Sequence, residues 1–131
     1  MADALDAAAV AHDLDPSLLR AVAWAESSFR PDVRSHAGAV GVMQLMPATI
    51  IHIEQLLGRS IDPDVIVDNV EGGAVYLAYL LDRADGNTRL ALTAYHQGWA
   101  GVLRDGPSST SDAYAQRILD LQAQLVTTLS A

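Results

Sequence analysis

The feature that most limits what this chain can fold into is its punctuation: apolar runs at helical spacing that open on proline and stop at glycine. Proline suits a first helical turn because its missing N–H has no partner there, and glycine suits the residue past the end because it adopts left-handed backbone freely. "DLDPSLLRAVAWAESSF" predicts a helix with Asp15 as N-cap, Pro16 at the first position, and Leu18, Val22, Ala25 and Phe29 at helical spacing. "PATIIHIEQLLG" predicts a second, from Pro47 to just before Gly58. "NVEGGAVYLAYLLDRADG" predicts a third, with Val70, Ala74, Leu77 and Leu81 on one face and Gly86 as its stop. "TRLALTAYHQG" predicts a fourth ending at Gly98, and "AYAQRILDLQAQLVTTL" a last one with Ile118, Leu119, Leu121, Leu125 and Val126 as its apolar side. Pro31, Gly38 and Gly41 break the segment around residues 31–46, which reads as a loop or small β-hairpin, and "DGPSSTSD" reads as an exposed turn. The pattern is that of a mainly α fold. Gly72 and Gly73 lie inside the third helix, where each costs about 1 kcal/mol relative to alanine, so another backbone is expected to pass close by.

Half of the 131 residues are apolar, enough for a single packed domain covering 1–131. No apolar run reaches the roughly 18 residues of a membrane span, and "MADALDAAAV" lacks the basic start and long apolar stretch of a signal peptide. Eight arginines stand scattered against sixteen acidic residues, for a formal charge of -8, which excludes nucleic acid as the expected partner. With no cysteine there is neither a disulfide, a thiolate metal site nor a cysteine nucleophile. His12, His36, His52 and His96 have no partner at the three- or four-residue spacing of a helical zinc site. "DPDVIVD" (62–68) carries three aspartates, but Ile66 falls where a calcium loop needs a ligand. No metal and no cofactor are expected.

Glu26 is the residue out of pattern. Leu19, Val22 and Ala23 precede it by seven, four and three positions, so on a helix its carboxylate rises at the end of an apolar strip. The negative end of the helix dipole and the largely apolar neighbours Trp24, Ala25 and Phe29 both disfavour the ionised carboxylate and raise its pKa. A carboxylic acid still protonated near neutral pH can protonate a leaving-group oxygen, which breaking a glycosidic bond requires. A helix-end glutamate pointing into water fits the pattern equally well. The nearby acids Asp32, Glu54, Asp68 and Glu71 nominate no second carboxylate and read as solvated surface or caps. Tyr95, His96 and Gln97 gather hydrogen-bonding side chains at a helix end, suiting sugar hydroxyl or amide recognition, although a tyrosine there can equally cap the core.

Three ordered blocks, "ESSFRPDVRSHAGAVGVMQLMPAT", "DNVEGGAVYLAYLL" and "ALTAYHQG", resemble the catalytic domain of soluble lytic transglycosylases (SLT type) in the lysozyme superfamily. The first is similar to the family's Glu-Ser pair followed by Gly-x-Met-Gln-x-Met-Pro, the second to its Asn-x-x-x-Gly-x-x-Tyr-Leu helix, and the third to its Ala-Tyr-Asn-x-Gly. The resemblance covers a core of about 14–121. It implies a lysozyme-like fold and cleavage of the β-1,4 bond between N-acetylmuramic acid (MurNAc) and N-acetylglucosamine (GlcNAc) in peptidoglycan, leaving 1,6-anhydro ends. Glu26 matches the sole catalytic acid, assisted by the substrate's own N-acetyl group. Ser35, Gln44, Met46 and Tyr95 match positions that contact the sugar or orient the glutamate. The hydroxyl of Ser35 and the amide of Gln44 would bond an N-acetyl group, Met46 would form an adaptable wall, and Tyr95 would hold the Glu26 carboxyl. Tyr114 resembles the tyrosine that opens the family's final helix, in the cleft or in the core. His96 departs from the usual asparagine, and Gln97 from the usual small residue.

The resemblance further implies a partner, peptidoglycan glycan strands, and a secreted or wall-associated location. A monomer is expected. A net charge of -8, which an anionic wall would repel, and the missing secretion signal lead to the expectation of an excised domain of a larger chain with a wall-binding module, or of a phage-encoded one. A muramidase on the same scaffold, with water attacking, and a non-catalytic glycan-binding or phage-tail module are the alternative readings.

Overall fold

The computed structural model of the chain describes residues 1–130, with side chains through residue 126. Among the described residues seven helices succeed one another: α1 (Ala2–Ala11), α2 (Pro16–Ser27), α3 (Pro47–Leu57), α4 (Ile66–Arg83), α5 (Thr88–Gln97), α6 (Trp99–Asp105) and α7 (Ser109–Ser130). The mainly α expectation holds. No described helix is long and apolar enough to cross a membrane.

The proline and glycine signals work as expected at most ends. Asp15 caps α2, its side chain accepting the Ser17 N–H at 2.9 Å, with Pro16 at the first position. Pro47 opens α3, and Gly58, at φ +70°, closes it. Asn87 caps α5 by accepting the Leu90 N–H. The expected extent of α2 is too long: Phe29 does not continue its apolar face, because the helix ends at Ser27 and Phe29 turns out at φ 64°. Two helices are additional to those the sequence predicts. α1 is built on alanine, so its buried face of Leu5, Ala8 and Ala9 gives little contrast in hydropathy. α6 restarts straight after Gly98, the residue that marks the end of α5. The expected turn "DGPSSTSD" is shorter than its composition suggests, because Ser108 caps α7 and the helix starts at Ser109.

Contacts cluster into two compact units, Met1–Val75 and Tyr76–Ala131, with α4 running through the boundary in sequence. In the first, α1 packs on α2. Its interior is made by Leu5 and Ala9 of α1, Leu19, Ala21, Val22 and Ala23 of α2, Val42, Met43 and Leu45 of the loop between α2 and α3, Ile53 of α3, and Val70 and Ala74 of α4. At about 25 cal/mol per Å² of apolar surface, each large side chain removed from water there stabilises the fold by about 2 kcal/mol. In the second unit α5 packs on α6 and α7, burying Ala91, Leu92 and Ala94 along with Ala115 and Ile118 of α7. Of the apolar side expected for the last helix, Ile118 is fully buried, Leu119, Leu121 and Leu125 are half-buried, and Val126 is exposed.

Residues 31–46 form the irregular, hairpin-like segment expected. Antiparallel bridges join Arg34 to Val40 and Val40 to Leu45. The glycines of α4 explain how this loop is held. A Cβ on Gly73 would stand 2.5 Å from Cγ of Met43, and one on Gly72 would stand 3.1 Å from Leu45 and Ile61 side chains. The close neighbours are therefore side chains, above all Met43, rather than the backbone that the sequence suggested. Asn69, one turn earlier and 1% exposed, completes the clasp. Its carbonyl accepts the Met43 N–H at 2.9 Å, and its amide donates to Val40 O and Pro63 O, each at 2.9 Å.

Candidate active site

Glu26 stands one residue before the end of α2, half-exposed. Its successor in the chain, Ser27, is 4% exposed, and the Ser27 hydroxyl donates to Val42 O at 2.8 Å. The carboxylate-bearing turn is thereby tied to the loop that Asn69 and Gly73 hold. Past Ser27 the chain takes two left-handed residues in succession, Ser28 at φ 54° and Phe29 at φ 64°. Each costs on the order of 1 kcal/mol for a residue with a side chain. The Ser28 N–H satisfies Trp24 O at 2.9 Å, and the Phe29 ring meets Trp24 edge-on at 5.3 Å. Arg30 donates to Ser27 O through its backbone N–H at 3.1 Å and its Nε at 3.3 Å, bringing a cation to the negative end of the helix.

The other first-unit residues singled out in the sequence lie in or just after the loop. Ser35 is exposed, and its Oγ accepts the Ala39 N–H at 3.0 Å. Gln44, at φ 51°, spends both amide hydrogens inside the loop, on Val33 O at 3.0 Å and Gly41 O at 2.9 Å. That side chain braces the loop, and only its carbonyl oxygen remains for an N-acetyl group. Met46 is the N-cap residue of α3 and is 38% exposed. A separate concavity of about 300 Å³ in this unit, lined by Ala4, Ala8, His12, Val67 and Glu71 among others, contains none of the residues the sequence singles out for a site.

In the second unit Tyr95 is half-buried, its ring 5.5 Å from that of Tyr76. His96 is exposed and stacks on Tyr114, ring centroids 4.6 Å apart, while its Nδ1 lies 2.9 Å from Ser111 Oγ. Gln97 turns inward to the chain: its amide donates to Gly106 O at 3.0 Å, and its carbonyl accepts the Ser108 N–H at 2.9 Å. It staples the connection between α6 and α7, a task that accounts for its side chain without any sugar. The structure thus brings His96 and Tyr114 together, and engages the Gln97 side chain and the amide donors of Gln44 in bracing bonds.

Comparison with known proteins decides the family, since the model for the transglycosylase SLT domain matches residues 3–118. The chain belongs to the SLT domain family. It is 41% identical over 96 residues to a transglycosylase of Enterobacteria phage PRD1, covering 73% of this chain and 34% of that one. It is 37% identical over 109 residues to membrane-bound lytic murein transglycosylase F of Cellvibrio japonicus, covering 79% of this chain and 21% of that one. Among solved structures it is similar to an inactive glutamate-to-glutamine mutant of lytic transglycosylase Slt from Pseudomonas aeruginosa, with a TM-score of 0.87 at 28% identity, covering 98% of this chain and 24% of the other. This SLT domain therefore spans about a third or less of the length of these relatives, and its mainly α fold is lysozyme-like.

Ser27, Asn69, Ser108 and Ser111 support these side chains without standing out in the sequence as site residues. A signal is present for three of them: a small polar residue on the apolar face of a predicted helix, as with Ser27 and Asn69, or a serine three residues before another at a helix start, as with Ser108. Ser111 carries none.

Proposed function

We propose that this SLT domain cleaves the β-1,4 MurNAc–GlcNAc bond of peptidoglycan and closes a 1,6-anhydro ring on the muramyl residue, with Glu26 as its single acid and base. The observation that carries this reading is Glu26 at the pinned end of α2, in a chain whose family match covers residues 3–118. Glu26 passes its proton to the glycosidic oxygen as the bond from that oxygen to the muramyl C1 breaks. The electron pair leaves with the GlcNAc hydroxyl. Positive charge developing at C1 is met by the carbonyl oxygen of the substrate's own N-acetyl group. The Glu26 carboxylate then takes the proton of the muramyl 6-hydroxyl while its oxygen bonds to C1, which returns Glu26 to its acid form and consumes no water.

The Ser27 hydroxyl and the Arg30 contacts support the reading through position. Fixing an acid against a scissile oxygen removes orientational entropy from the reaction, and rigid supports preserve that gain. Ser35 and Met46 are accessible at the loop and at the start of α3, and are assigned to the sugar. In the second unit, Tyr95, His96 and Tyr114 are assigned to glycan contacts.

The test is Glu26→Gln. Release of soluble fragments from purified peptidoglycan should fall by about 10²–10⁴-fold, the usual scale for loss of a general acid, while thermal denaturation stays within about 0.5 kcal/mol of the wild type, as for a half-exposed, near-isosteric change. Retained activity, or a large loss of stability instead, would remove Glu26 from the chemistry.

A further inference from the structure

The second unit holds a polar array ending in a His96–Ser111 contact that neither the helix caps nor the proposed acid-base step accounts for. His96 occupies the position where the resemblance leads one to expect asparagine. An asparagine amide offers a donor and an acceptor whose identities are fixed, whereas a neutral imidazole offers one of each only after its proton is assigned to one nitrogen. The surrounding hydrogen bonds make that assignment.

Ser108 caps α7, its Oγ accepting the Ser111 N–H at 3.0 Å, while its own N–H donates to Gln97 Oε1. The Ser108 hydroxyl proton goes to Ser111 Oγ at 3.0 Å. Ser111 is 1% exposed, so its hydroxyl proton must find an acceptor within the protein. Ser111 Oγ lies 2.9 Å from His96 Nδ1, and, accepting from Ser108, it is placed to donate its own proton to that nitrogen. In that arrangement Nδ1 accepts and the imidazole proton stands on Nε2. Stacking on Tyr114 fixes the plane of the ring, and His96 itself is exposed. Gln97, bonded to both Gly106 and Ser108, fixes the start of α7 and with it the position of Ser111.

We propose that Ser111 is a positioning residue that holds His96 in its Nε2–H tautomer, so that the exposed edge of the ring presents a hydrogen-bond donor to an oxygen of the bound glycan. The glycan half of this statement rests on the transglycosylase reading above. The tautomer half does not, and the two are tested apart.

The tautomer is read on the protein alone, by ¹⁵N NMR of the imidazole side chains about two pH units above the ordinary histidine pKa of about 6.5. The expected wild-type result is an unprotonated Nδ1 and a protonated Nε2 for His96, with Ser111→Ala shifting both nitrogens toward averaged values. A protonated Nδ1 in the wild type overturns the proposal without any variant having to fold. On glycan substrate, Ser111→Ala should raise KM about fivefold, the worth of one neutral hydrogen bond, at unchanged kcat. Placed in a His96→Gln background, the same substitution should leave KM where His96→Gln alone puts it. An equal effect of Ser111→Ala in both backgrounds would mean that the serine acts on the fold and not through His96, and would also overturn the proposal. Loss of the anhydro product with the tautomer intact would instead strike the transglycosylase reading.

Discussion

Ser27, the residue after Glu26, makes a contact that nothing in its own chemistry advertises. Its buried hydroxyl is the link between the end of α2 and Val42. Ser27→Ala leaves that carbonyl without its partner in the interior, and should cost about 1–3 kcal/mol in urea unfolding and lower kcat more than it raises KM, because the turn bearing the acid loosens. An unchanged kcat would show that the turn is held without Ser27. Glu26 itself is legible in the sequence because a carboxylate at the end of an apolar strip is out of pattern. Gln44 and Gln97 are not, for the converse reason. An amide in a polar, glycine-rich stretch has the same appearance whether it faces a ligand or its own backbone, and only the positions of Val33 O, Gly41 O and Gly106 O tell the two apart.

At the level of the elements, α4 is shaped by what it must accommodate. Gly73→Ala puts a methyl 2.5 Å from Met43 Cγ, an overpacking expected to cost about 1–3 kcal/mol. In a Met43→Ala background the same change should cost much less, so a double-mutant cycle in urea should show coupling of at least about 1 kcal/mol. Additive losses would mean that the glycine serves some other purpose. The docking of α1 on α2 carries a pH signature. Arg20 reaches back to Asp6 with Nε at 2.8 Å, and that hydrogen bond holds the Asp6 carboxyl below its usual value of 3.8. A depressed carboxylate contributes stability that is present above the unfolded pKa and lost as pH falls through the folded one. With side chains 28% and 39% exposed, the pair is worth about 0.5 kcal/mol. Asp6→Asn should therefore lower the melting temperature slightly at neutral pH, the difference closing as pH falls below about 3.8. A difference that persists in acid would point to packing instead. Helices announced by proline and glycine are readable from sequence, while α1 and α6 are not. Alanine gives α1 no hydrophobic contrast, and α6 hides behind the glycine that ends its neighbour.

Across the whole molecule, the proposed reaction gives a mainly α chain with a net charge of -8 and no cysteine its chemistry through one carboxyl group and the sugar substrate itself. The absence of a second carboxylate pattern in the sequence agrees with a mechanism in which the substrate supplies both the nucleophile and the assisting oxygen. Such a mechanism differs from hydrolysis in the fate of water. The decisive measurement is mass spectrometry of the soluble muropeptides released from purified peptidoglycan in ¹⁸O-labelled water, by the wild type and by Glu26→Gln. The expected products are 1,6-anhydro-muramyl ends, one water lighter than hydrolysed ends, free of label and absent with the variant. Labelled reducing muramyl ends would contradict substrate-assisted ring closure and make the reaction a hydrolysis on the same scaffold.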